Sequence, residues 1–73
     1  MKVIFRGEIK RIPDIKHYIE LLLYSSKVFD SRDMLDQKIF YRDDEGDIIT
    51  VNCQNDMEQA LNNSHSTVKF VFA

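Results

Sequence analysis

Between residues 41 and 47 the chain places four carboxylates, Asp43, Asp44, Glu45 and Asp47, beside a single cation, Arg42. Carboxylates at this density can chelate a hard cation, exchange protons with a substrate, or meet a positively charged partner. Left alone they repel one another, which is unfavourable. Either the segment is a solvated loop that tolerates the repulsion, or a bound positive group relieves it. The alternation of Asp43, Glu45 and Asp47 suggests oxygen ligands for calcium. An EF-hand loop, however, ends on a Glu at its twelfth position and lies between two helices. Counted from Asp43 that position is Gln54, and strand-like sequence flanks the acids on both sides. No base or nucleophile stands at a fixed spacing from them, so acid–base catalysis has no second partner. The open alternatives are a solvated loop and a surface that recognises cations.

The opposite charge sits at the start of the chain. Up to Lys16 the cations Lys2, Arg6, Lys10, Arg11 and Lys16 face only Glu8 and Asp14. From residue 42 to 58 the acids Asp43, Asp44, Glu45, Asp47, Asp56 and Glu58 face Arg42 alone. A chain with net charge −2 is therefore strongly polarised along its length, a pattern that speaks to partner recognition more than to fold. Nucleic acid and anionic membrane both call for a strongly basic face, for nucleic acid one with interleaved aromatics, and neither is an expected partner. Cys53 is the lone cysteine. It excludes an internal disulfide and a multi-cysteine zinc site, and it fits a reducing, cytoplasmic setting. Cys53, His17 and His65 show no ligand spacing, so no metal, cofactor or catalytic residue is expected. No apolar run approaches the roughly 20 residues of a membrane span, and the opening Met1 to Arg6 is too short for a signal peptide.

These charges need a scaffold, and 73 residues supply one domain, expected over residues 1–73. A hydrophobic content of 44% with 30% charged residues is that of a globular chain. Lys2 to Arg6 alternates, with Val3 and Phe5 on one side, and predicts a strand with one buried face. Gly7-Glu8 reads as a turn, and Ile9 to Ile12 as a second strand. Asp14 is placed to cap a helix whose inner face is Ile15, Tyr18, Ile19, Leu22 and Leu23, and which ends near Ser25 to Lys27 with Phe29 packed behind it. Ser25 and Ser26 read as helix-end residues. Asp30 to Asp36 reads as a polar connector. Lys38 to Tyr41 and Asp47 to Val51 read as strands, joined by a turn in which Gly46 supplies a positive φ. Asn55 to Leu61 is predicted as a short helix with Met57, Ala60 and Leu61 inward. Asn62 to Ser66 reads as a loop. Thr67 to Phe72 is the last strand, burying Val68, Phe70 and Phe72. This ββαββαβ order predicts an α+β fold, a ubiquitin-like β-grasp roll with a mixed sheet of four to five strands and two helices.

With the elements in place, the stretch YRDDEGDIITVNCQNDMEQAL, residues 41–61, resembles the acidic OPCA motif of PB1 (Phox-and-Bem-one) domains. Tyr41, Asp43, Glu45, Gly46 and Asp47 fill its first part, Ile49 and Val51 its strand, and Asp56 and Glu58 its helix start. The resemblance implies a partner-facing acidic surface of Asp43, Glu45, Asp47 and Asp56, with Asp44 and Glu58 accessory. Lys2, five residues before Gly7, is similar to the family's first-strand lysine, and Lys10-Arg11 to its second-strand basic pair, with Arg6 and Lys16 as possible additions. This second match is shorter. Together the two imply a module that binds another PB1 domain, or another copy of itself, front to back through acidic and basic surfaces; with Lys2 and Lys10 read as solvated strand residues, the resemblance implies a member with the acidic surface alone. They also imply a scaffolding role in signalling or autophagy complexes. A different ubiquitin-like class, the Ras-association type that binds a small GTPase through a basic hairpin, is the alternative. The chain ends in Phe72-Ala73 and lacks the Gly-Gly tail of a conjugated modifier.

Overall fold

The computed structural model describes residues 1–63 and 67–73. Its elements follow the expected order: β1 (Lys2–Phe5), β2 (Glu8–Arg11), α1 (Tyr18–Val28), a 3-10 turn (Arg32–Asp36), β3 (Ile39–Arg42), β4 (Ile48–Val51), α2 (Gln54–Asn62) and β5 (Lys69–Phe72). The strands form one mixed sheet in the order β2-β1-β5-β3-β4. β1 and β5 run parallel at its centre, and the other neighbours are antiparallel. The five-stranded sheet with its two helices is a ubiquitin-like β-grasp, as the pattern of elements predicts.

Period-2 alternation decides which face of the sheet is covered. Val3, Phe5, Ile39, Tyr41, Val51, Phe70 and Phe72 are buried on one side, together with Leu21 of α1 and Met57 and Ala60 of α2. Burying a side chain of this size is worth about 1.5–3 kcal/mol. An isolated helix of α1's 11 residues is marginal in water. Packing on the sheet, more than intrinsic propensity, therefore holds α1 in place.

The structure corrects several expectations. The first hairpin turns at Arg6 and Gly7, not at Gly7-Glu8: Arg6 has φ 51°, Gly7 has φ 79°, and Glu8 already pairs with Phe5. A two-residue turn matched to the twist of its strands needs positive φ at both central positions. The inner face of α1 is Tyr18, Leu21, Leu22 and Ser25, not Tyr18, Ile19, Leu22 and Leu23. Leu21 and Ser25 are fully buried, whereas Ile19 and Leu23 are 61% and 57% exposed. Ile15 is buried from the extended segment before the helix. Asp14 does not cap α1, which starts at Tyr18; its carboxylate lies 3.2 Å from the Met1 nitrogen. The cap comes from α2 instead: Gln54 Oε1 accepts the Tyr18 N–H at 2.6 Å, and Gln54 Nε2 donates to the Lys16 carbonyl at 2.9 Å. The connector before β3 contains the 3-10 turn, which sinks Met34 completely.

Other boundaries agree to within one or two residues. Phe29 closes α1 and meets Phe5 edge to face at 5.7 Å. The predicted loop 62–66 begins one residue late, since Asn62 ends α2, and Ser64, His65 and Ser66 lie outside the described residues. Among the described residues no helix is long and apolar enough to cross a membrane.

Candidate interaction surfaces

The acidic surface is built by the β3–β4 hairpin. Asp43 folds the turn with its own side chain: Oδ1 accepts the N–H groups of Glu45 at 3.0 Å and Asp47 at 2.9 Å. Backbone bonds close the same turn, from Asp43 N–H to the Asp47 carbonyl and from Gly46 N–H to the Asp43 carbonyl. Gly46 supplies the positive φ of 85°. As a result Asp43, Glu45 and Asp47 each bring a carboxylate oxygen within 4.8 Å of the others. Asp43 is half-buried, while Glu45 and Asp47 are exposed. Asp44 is exposed on the same turn and stands outside this group of three.

The helix-start acids divide. Asp56 is half-buried and its Oδ2 accepts the Asn52 N–H at 3.1 Å, tying the first turn of α2 to the end of β4. Glu58 lines an open groove with Asp14, His17 and Gln54. Neither belongs to the three-carboxylate group. Cys53 is exposed at the residue before α2.

The cations divide as well. Adjacent strand residues point to opposite faces, so Lys10 and Arg11 stand on opposite sides of the sheet. Lys10 is on the helix side, where its ammonium donates to the Val28 carbonyl at 2.9 Å, lies 5.1 Å from the centre of the Phe29 ring, and sits 3.9 Å from Glu8. It thereby caps the C-terminus of α1, where a cation is favoured. Arg6 stands over Phe5 at 4.8 Å and its guanidinium meets Asp33 at 3.3 Å. Lys2 and Arg11 face away from the core, directly opposite each other across β1 and β2. On the other side of Lys2, in register, is Lys69 of β5. None of Lys2, Arg11 and Lys69 has a side-chain hydrogen bond or ion pair among the described residues.

Sequence reasoning from the first hairpin alone does not reach Lys69. Alternation along residues 67–72 turns it outward, but only the parallel pairing of β5 with β1 brings it beside Lys2. A family model described as PB1 domain matches residues 1–71 of the chain. Comparison with curated proteins gives no match, and comparison with solved structures gives none.

Proposed function

The chain belongs to the PB1 domain family of protein–protein interaction modules, whose members typically bind one another, and from that premise we propose that it associates front to back with a second PB1 domain or a second copy of itself. The carboxylates of Asp43, Glu45 and Asp47 form one surface, to which Asp56 and Asp44 add further negative charge. Lys2 and Arg11 form the centre of the other. The observation that carries this reading is the coexistence in one small chain of two clusters, Asp43, Glu45 and Asp47 on one side and Lys2 and Arg11 on the other, that form no ion pair among the described residues. Three carboxylates converge to within 4.8 Å, and cations stand opposite one another on β1 and β2. Opposite potentials steer encounter, and salt weakens it. Such a contact can link copies into a scaffold for signalling or selective autophagy, in the cytoplasm.

The test is sedimentation as a function of concentration. The native chain grows, while Lys2→Ala and Asp47→Ala each remain monomeric. An equimolar mixture of the two variants recovers a dimer through the face each retains. Binding to a small GTPase that depends on nucleotide state and survives substitution of Asp43 and Asp47 would support the Ras-association alternative instead.

A further inference from the structure

We infer that the outer face of α1 is a separate, two-fold interaction surface, which pairs antiparallel with α1 of a second copy. A helix that is apolar nearly all round is normally covered on more than one side. The sheet covers only the side of α1 that carries Leu21 and Ser25. Ile19, Leu23 and Tyr24 are exposed together on the far side, where Ile19 and Leu23 are neighbours one turn apart. An exposed apolar patch rimmed by polar groups marks a contact site, and the exposed charges Glu20 and Lys27 rim this one. The patch shares no residue with the carboxylate cluster or with the cationic strands.

The charges identify the occupant. Glu20 and Lys27 are seven residues apart on α1. That is about two helical turns, so they share a side but stand about 10.5 Å apart along the axis, too far to pair with each other. Neither forms an ion pair or a side-chain hydrogen bond among the described residues. Leu23 and Tyr24 lie at the midpoint between them. A second α1 turned end for end about that midpoint sets its Lys27 against Glu20, its Glu20 against Lys27, and its Leu23 against Tyr24. One operation matches both charges and covers the apolar centre. The contact uses the same patch on both copies, so it is isologous and closes at two. One helix of 11 residues per copy buries less than the roughly 1,200 Å² of a stable complex. The contact is therefore weak between isolated copies, with a dissociation constant of about 0.1–1 mM, and copies stay monomeric at micromolar concentration. Copies already joined front to back would present many such helices at once, and multivalency would then pair two chains side by side.

A double variant, Lys2→Ala with Asp47→Ala, damages both charged surfaces, so the two-fold contact is read apart from the front-to-back proposal. Sedimentation equilibrium of this parent up to about 1 mM should show monomer and dimer and nothing larger. Adding Glu20→Lys, or Lys27→Glu, should weaken the dimer by about tenfold, because each reversal sets two pairs of like charges against each other. An equimolar mixture of the two reversals should restore a heterodimer of parental affinity, since every pair then joins opposite charges. Leu23→Asp should leave only monomer. Reversing a charge near a helix end also costs some helix stability; melting curves check that each variant is folded, and that cost cannot produce the recovery in the mixture. A parent that stays monomeric throughout, reversals that dimerise as the parent does, or a mixture no better than its components would overturn the inference and leave the front-to-back reading standing. A dimer that follows this charge pattern, in a chain whose native form never assembles through its charged surfaces, would sink that reading and keep this one.

Discussion

Ser25 carries a hydroxyl to a fully buried position in α1, where it has no hydrogen-bond partner among the described residues. A buried polar group without a partner is costly, and Ala is also the better helix former. Ser25→Ala should therefore raise stability by about 1 kcal/mol, seen as a higher urea midpoint at unchanged slope. A lower midpoint would mean the hydroxyl is satisfied. Gly46 gives the complementary case. A Cβ added there meets nothing within 4 Å among the described residues, yet φ is 85°. Any loss in Gly46→Ala thus comes from backbone conformation alone, about 1 kcal/mol, and Gly46→Asn should lose less because Asn tolerates that region. Equal losses for the two would point to a contact instead. These two positions differ in how readily sequence reveals them. The glycine follows from the turn it must make, whereas a serine among helix-end residues gives no sign that it is buried.

At the scale of elements, the strands and the inner face of α2 were legible, and the inner face of α1 was not. Val3 and Phe5, and Val68, Phe70 and Phe72, repeat at period 2 with one apolar side, so a single burial pattern fits. The stretch from Tyr18 to Tyr24 is apolar nearly all round, so several helical faces fit equally well. The sheet selects the one that brings Ser25 inward. Met34 escaped for a related reason, since one buried residue in a charged segment creates no period. Acids at alternating positions in the second hairpin were legible as a cluster, but the separation of Lys10 from Arg11 required treating them as strand neighbours on opposite faces. The cap of α1 by Gln54 was beyond reach, because it joins residues far apart in the chain. Gln54→Ala removes both of its bonds at once. It should cost about 1–2 kcal/mol, the range of a lost helix cap, and thermal melting reads it. Gln54→Glu keeps the acceptor for the Tyr18 N–H and should recover part of the loss. No difference between Gln54→Ala and the native chain would show that the cap contributes nothing.

For the whole molecule, the two charged surfaces occupy different sites: a carboxylate cluster on the β3–β4 turn and a cationic row on the open face of β2, β1 and β5. A contact between unlike patches is heterologous, and it closes into a ring only if the rotation per copy permits; otherwise it propagates. This distinguishes front-to-back association from a symmetric dimer in a way that affinity cannot. A copy with one damaged face can still join a growing chain but offers no site for the next copy. Adding Asp47→Ala to the native chain at fixed total concentration should therefore shorten assemblies progressively, with the weight-average sedimentation coefficient falling as its mole fraction rises. Lys2→Ala should do the same from the other end, and the two variants together should cap both. A symmetric dimer behaves otherwise: it never exceeds two copies, and a variant forms only a weaker heterodimer. Raising salt should reduce assembly size for the native chain and for every mixture, since the proposed contact joins opposite charges. Native assemblies whose size is unchanged by either capping variant would rule out propagation through these surfaces.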